Sequence, residues 1–332
     1  MEHRSNNFDA LRLVAALAVL VGHAWPLTGV SPIPEVGGIR IYHLAVYVFF
    51  AISGYLITTS WQRSPRVRRF LAARALRIFP ALIVLVVLTV LVIGPLATRL
   101  PLGEYFASPQ SWAYLLTMTL AAAYTLPGVF VDNPLDVVNG SLWTLGPEFG
   151  CYLLVLAIGL LLRARGARVV GWAVVTLALA GLALVPLGIP QPLRQIPIAA
   201  VFFGAGALWA LALDRCDLRM PLWSTPLVAA GWLVGAALVP ALHLPLAWIA
   251  VPYLALALGR ASTPYARRFG RFGDFSYGLY LWGYVTQQFV TSTFGVLPIP
   301  VTLAIVVPAA SVLAVLSWHL VEKRALAVKG RF

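Results

Sequence analysis

The stretch "FDALRLVAALAVLVGHAWP", residues 8–26, decides the architecture of this chain. It is apolar nearly throughout and about as long as a helix must be to cross a bilayer. Yet Arg12 stands near its start and His23 near its end, two groups that hydrocarbon tolerates only at a cost. The run therefore reads as a membrane helix that carries polar chemistry. No small-residue cleavage site follows it and more apolar runs do, so residues 1–26 are expected to be kept as a signal anchor.

The rest of the chain agrees. Of 332 residues, 61% are hydrophobic and 11% charged, and the mean hydropathy is +0.87. A soluble domain cannot hide that much apolar surface, so lipid must be the solvent for most of the chain. The alternating segments of about ten residues that a β-barrel needs are absent. The expected fold is an all-α polytopic membrane protein, one integral domain over residues 1–332. A net charge of +13 would suggest nucleic acid in a soluble protein. Here the basic residues sit in short loops between apolar runs, so the orientation rule accounts for them and no nucleic-acid partner is implied. Cys151 and Cys216 fall in or beside spans without a pairing pattern, and no disulfide is expected.

Eleven apolar stretches are visible, near 8–28, 42–61, 78–97, 111–127, 142–162, 169–187, 196–213, 222–240, 244–260, 276–294 and 299–320. Arg63, Arg66, Arg68, Arg69, Arg74 and Arg77 mark the loop after the second as cytoplasmic. If 111–127 crossed fully, "RARGAR" (163–168), Arg215, Arg219, Arg260, Arg267, Arg268 and Arg271 would lie outside. If it is re-entrant or peripheral, all of them fall inside, with Lys323, Arg324 and Lys329. Ten crossings with both termini cytoplasmic are the expectation. The basic stretches "QRSPRVRRFLAARALR" (62–77) and "TPYARRFGRFGDF" (263–275) suit the lipid headgroup surface.

A charge at the bilayer centre costs about 3 kcal/mol on insertion scales, so buried ionisable groups make a short and informative set. It comprises Asp9, Arg12, His23 and Glu148, with Arg74 and Arg77 at the start of the third span. On a helix, Arg12 and His23 fall within roughly 20° of one face and about 16 Å apart along the axis. Asp9 is one turn before Arg12 and can pair with it, as catalytic machinery or as a structural ion pair. His23 is the side chain suited to proton transfer near neutrality. His3, His43, His243 and His319 lie in the tail or at span ends and read as structural. Arg74 and Arg77 share a face and offer two guanidinium forks to a phosphate, or to lipid headgroups by snorkelling. Glu148 follows a proline inside an apolar segment and needs a partner or an aqueous path. Trp143 and Tyr152 beside it suit an interface belt. Ser53, next to Gly54 in mid-span, is a helix-packing contact more readily than a nucleophile. No cluster has metal-ligand spacing, and no metal is expected.

Taken in order, these segments resemble acyltransferase family 3, membrane proteins that O-acylate carbohydrates and related acceptors. "FDALRLVAALAVLVGH" has the family's Arg followed after ten residues by His, and "FFAISGYLI" resembles its second-span signature. "FLAARALRIFP" carries its Arg-x-x-Arg, "SLWTLGPEFGCYL" its Trp and Glu segment, "FSYGLYLW" its late aromatic signature and "WHLVEK" its closing element. The resemblance implies a bacterial inner-membrane enzyme that takes an acyl group, acetyl by default, from cytoplasmic acyl-CoA to a hydroxyl of a carbohydrate or glycoconjugate. It implies His23 as general base, Glu148 as a functionally important group, and Arg12, Arg74 and Arg77 on the acyl-CoA side. One departure stands out: relatives often have His after "YLW", where this chain has Gly283. The stand-alone form, without a fused extracytoplasmic esterase-like domain, is the expectation. A transporter or flippase for a polar or lipid-linked sugar is the main rival, separated by a requirement for acyl-CoA. A non-catalytic scaffold would not need His23 and Glu148 within lipid.

Overall fold

The computed structural model describes residues 6–165, 193–215 and 218–331. They form α1 (Phe8–Thr28), the hairpin β1 (Glu35–Val36) and β2 (Ile39–Arg40), and α2 (Ile41–Arg63). Next comes α3 (Val67–Leu88), which runs through a π-turn at Thr89–Ile93 into α4 (Gly94–Ala97). The short α5 (Leu102–Ala107) and α6 (Pro109–Ala113) precede α7 (Leu145–Arg165). The remainder is α8 (Gln195–Arg215), α9 (Ser224–Leu238), α10 (His243–Arg260), α11 (Ser276–Phe294), α12 (Ile299–Ser317) and α13 (Lys323–Ala327).

Seven helical stretches among the described residues are long and apolar enough to cross a membrane: Phe8–Thr28, Ile41–Arg63, Val67–Ala97, Leu142–Leu161, Gln195–Asp214, Pro240–Arg260 and Ile299–Ala327. The chain is thus an all-α, multi-pass membrane protein. Of the other expected crossings, α9 is an apolar helix of 15 residues. α11 has 19 residues and buries Ser276, Gln287, Gln288 and Thr291 along its length. The expected span at 169–187, residues 166–168 of the "RARGAR" run, His3 and Cys216 lie outside the described residues. Residues 111–127 form no membrane-length helix: α6 passes into a 3₁₀ segment at Tyr114–Thr119, and irregular chain follows. The basic stretch 62–77 is not a separate surface helix. From Val67 onward it is the opening of α3, so Arg74 and Arg77 sit on the third span itself.

The chain divides into two compact units. One contains the start of α1, residues Glu35–Leu71 and Pro147–Phe272. At its centre α2 and α8 meet backbone to backbone. A Cβ at Gly54 would overlap the Phe203 carbonyl oxygen, and one at Gly206 would overlap the Ala51 carbonyl oxygen. This reciprocal contact is how small residues substitute for a hydrophobic drive between helices in lipid. Tyr47 stacks on Phe202 and donates to Gln195 Oε1 at 2.5 Å. Phe8, Ala51, Ile52, Ala255 and Leu256 form the adjoining core. Asn7 ties the start of α1 to the end of α10, giving its backbone N–H to Gly259 O and its amide to Leu258 O. The hairpin turns on Gly37 and Gly38, both at positive φ, with Gly37 pressed on the Trp232 ring.

The second unit contains Ala16–Pro34, Ala72–Gly146 and the chain from Gly273 onward. On α12, Thr302, Val306, Ala310 and Ala314 recur every four residues and are buried, with Ala314 against Gly278 of α11. Val301, Ile305, Val312, Val315 and Leu316 on the same helix are exposed, as a lipid-facing surface would be. The irregular chain between α4 and α7 has its backbone satisfied from within. Gln288 donates to the carbonyls of Leu135 and Val137, the Thr98 hydroxyl to that of Pro127, and the Val138 N–H to that of Tyr124. Such pairing is what lets non-helical chain lie inside a membrane protein.

The glycine contact gives a stability prediction. Gly54→Ala or Gly206→Ala must push α2 and α8 apart, because a carbonyl oxygen cannot rotate away, and each should cost about 1–3 kcal/mol. A Cβ added at Gly231, on α9, would meet none of the described residues within 4 Å, so Gly231→Ala should be neutral or gain up to about 1 kcal/mol. Thermal melting of purified protein in detergent, with wild type alongside, reads both.

Candidate active site

His23 stands on α1 within the second unit. Its Nδ1 lies 2.8 Å from the Val19 carbonyl oxygen one turn back. A carbonyl can only accept, so Nδ1 carries the proton and the basic lone pair is on Nε2. The ring meets Tyr284 of α11 edge-on, with centroids 5.1 Å apart. One turn along α11, Gln287 donates to the Leu20 carbonyl at 2.7 Å and so ties α11 to the turn that carries His23. Gly283 is the reason the two helices come so close: a Cβ there would be 3.2 Å from Leu20 Cδ1. Leu20 thus occupies the space toward which a histidine at 283 would point.

The loop before α7 is clamped onto the same helix. Asn139 donates to Leu281 O, Ser141 donates to Asn139 Oδ1 at 2.7 Å, and Tyr280 donates to Ser141 O at 2.5 Å. The Thr144 and Tyr280 hydroxyls are also 2.5 Å apart. Gly140 is required here, since a Cβ would sit 2.8 Å from the Tyr284 hydroxyl. Trp143 is half-buried in the 3₁₀ turn Leu142–Thr144, between the buried Ser141 and Thr144. Sequence reasoning singled out Trp143 and missed Asn139, Ser141, Thr144 and Tyr280. The signal of the first three was present, as a run of small polar residues between two apolar stretches, but the partner helix that carries Tyr280 begins more than a hundred residues later.

In the first half of α3, the Arg77 guanidinium bridges two carboxylates, Asp274 at 2.7 Å and Glu322 at 3.4 Å. It also lies over the Tyr277 ring, 5.4 Å from the centroid. Glu322 is 2% exposed and accepts a further bond from Ser317. "WHLVEK" therefore supplies a counter-charge to the third span. Arg74, one turn before Arg77, is partly buried on the same helix.

Glu148 belongs to the first unit, on the opening turn of α7. Its Oε1 accepts from Ser53 Oγ at 2.9 Å and from the Tyr152 hydroxyl at 2.5 Å. Ser53 is buried on α2 beside Gly54, so the same close approach of α2 and α8 that the glycines permit fixes this donor. Ser53, Glu148 and Tyr152 thus form one hydrogen-bonded group. Two hydroxyl donors stabilise a carboxylate and fix its orientation. In this unit too, the Asp9 carboxylate packs against Gly270 in the basic 3₁₀ turn Ala266–Arg271, and Arg12 is partly buried one turn along α1. Among the described residues, no group of three or more His, Cys, Asp or Glu side chains could hold a metal ion.

Comparison with known proteins gives these arrangements a context. Residues 5–320 match the model of a family described as an acyltransferase domain. The chain is 33% identical to an O-acetyl transferase of Shigella phage Sf6 over 338 residues, covering 98% of this chain and 97% of that protein. It is 35% identical to nodulation protein 10 of Rhizobium leguminosarum bv. viciae over 191 residues, 51% of this chain and 50% of that protein. No solved structure matches. With its family's domain running through nearly every helix described above, the chain belongs to the acyltransferase 3 family and is an O-acetyltransferase-like membrane enzyme.

Proposed function

We propose that the protein moves an acyl group, acetyl by default, from acyl-CoA to a hydroxyl of a carbohydrate or glycoconjugate, with His23 as general base. The observation that carries this reading is the fixed tautomer of His23. With Nδ1–H committed to the Val19 carbonyl, Nε2 is the nitrogen that takes a proton. Nε2 removes the proton of the acceptor hydroxyl as its oxygen attacks the thioester carbonyl carbon. The C–S bond breaks, the ester forms, and the imidazolium returns the proton to the departing CoA thiolate. Glu148, held by Ser53 and Tyr152, serves the reaction as a second charged group, and Arg12 and Arg74 take the anionic end of the donor. The donor side is cytoplasmic, the membrane is the bacterial inner membrane, and both termini face the cytoplasm, as the distribution of basic residues favours.

The direct experiment measures transfer from labelled acetyl-CoA into the host's lipid and glycan fraction, using membranes of matched protein content. Wild type should yield alkali-labile label on a glycan, and His23→Gln should reduce the rate at least about 100-fold. Equal transfer by the two proteins would remove His23 as the base. Transfer by neither, at normal abundance, would point to another donor or to the sugar-transport reading.

The two arginines of α3 should separate in the same assay. Arg77→Ala strips the counter-charge from Glu322 and Asp274 and should cost about 3–5 kcal/mol of stability, seen as low abundance and early melting. Arg74→Ala should raise the KM for acetyl-CoA about tenfold, with a smaller change in kcat. The reverse pattern would reassign them.

A further inference from the structure

A groove in the first unit lies outside the chemistry assigned above. It runs between α2, α7 and α8, is partly open, and encloses an empty volume of about 630 Å³. Val155 and Ile158 line it from α7, Ala200 and Leu211 from α8, and Thr58 and Trp61 from α2. The Trp61 ring is fixed in place. It rests on Gly159, where any Cβ would overlap it, and meets Phe70 edge-on with centroids 5.4 Å apart.

One end of the groove adjoins Glu148. Cys151, in its lining, is one turn after Glu148 on α7. Phe203, also in its lining, has its ring 6.3 Å from that of Tyr152, the hydroxyl donor to Glu148. From there the groove extends toward Trp61 and Gln62, near the ends where α2, α7 and α8 close on Arg63, Arg165 and Arg215. Its lining on α8, from Ala200 to Leu211, covers about 16 Å along the axis, near the depth of one leaflet in hydrocarbon about 30 Å thick. All three helices are long and apolar enough to cross a membrane, which puts the groove at hydrocarbon depth.

The lining selects the occupant. Beyond Thr58, Gln62, Cys151 and the Trp61 indole, every residue in it is glycine, aliphatic or aromatic, and the Gln62 amide already donates to Asp214. Water would find too few partners there, and a sugar or nucleotide would leave its polar groups unpaired. A hydrocarbon chain suits the walls, and a chain entering at the Glu148 end brings its head beside a carboxylate. That carboxylate accepts hydrogen bonds from sugar hydroxyls and repels a phosphate, so the head is a neutral sugar and not that of a phospholipid. An acetyl group is too short to fill the groove. We propose that the groove holds the lipid chain of a glycolipid acceptor whose sugar is joined to the chain without a phosphate, with that sugar at Glu148. The proposal rests on the O-acyl transfer reading.

The test places the protein in vesicles of phosphatidylethanolamine and phosphatidylglycerol, with dodecyl glucoside carrying a diazirine on its chain as the probe. Irradiation should label the α7 and α8 peptides that contain Val155 and Ala200. Unlabelled dodecyl glucoside should compete at least about tenfold better than dodecyl phosphate. Equal competition, or label confined to other helices, would make the groove an ordinary lipid contact and overturn the proposal. In the acetyl-CoA assay, the host's neutral glycolipid should reach half-maximal rate at about one-tenth the concentration of the same glycan freed of its lipid. Partition into the bilayer also favours the lipid form, so the deciding variant is Val155→Phe, which fills the groove and leaves partition alone. It should cut the advantage to about twofold. Leu160→Phe, at an exposed position of α7 outside the groove, should keep it. A full advantage in folded Val155→Phe would overturn the proposal, and if that variant does not fold, the labelling of wild type decides. Absence of transfer to either form would strike the O-acyl transfer reading instead, while the competed label, which needs no turnover, still decides the groove.

Discussion

Inside a bilayer a polar group finds its partner in the protein or goes without, and the construction of this molecule follows from that constraint. Helices meet it automatically along their backbones, and so most of the described chain is helical. The irregular chain between α4 and α7 cannot, and it borrows donors from elsewhere. A single side chain, Gln288, serves the carbonyls of Leu135 and Val137 while accepting from Asn133. A leucine there would fill the same volume and orphan two carbonyls.

The constraint also explains why the ionisable groups are so well held. His23 has one nitrogen tied to its own helix, which settles the tautomer without a second residue. The carboxylate of Glu148 takes a hydroxyl from a different helix and another from its own next turn. The Arg77 cation faces two carboxylates. Each arrangement lowers the cost of keeping a polar group away from water and also narrows its geometry. Stability and preorganisation come here from the same bonds.

What could be read from the sequence was what is local. The apolar runs marked the long helices, and the placement of the basic residues told against a simple span at 111–127. The order of short motifs carried the family. What could not be read was pairing at a distance. Arg77 looked like one half of an arginine pair for a phosphate, because Asp274 and Glu322 lie 197 and 245 residues away in the chain. Ser53 looked like a packing residue next to Gly54; it is one, and it is also a donor to Glu148, 95 residues later. The start of α3 was hidden for another reason. Its first turns are basic enough to read as a surface segment, although they continue into the span without a break.

The reach of Arg77 has a consequence for how the protein is made. At about 5–20 residues per second, the 245 residues that separate it from Glu322 take roughly 12–50 s to synthesise. Asp274, 197 residues on, is made earlier, so for most of that interval the third span carries a cation with neither carboxylate to face. It must wait at the headgroup boundary, where lipid phosphates can stand in, and can settle only once the final helices arrive. The closing "VEK" motif thus completes the pairing: a nascent chain that has not reached residue 322 can already set Asp274 against Arg77, and the second, nearly buried carboxylate is the last partner to be made.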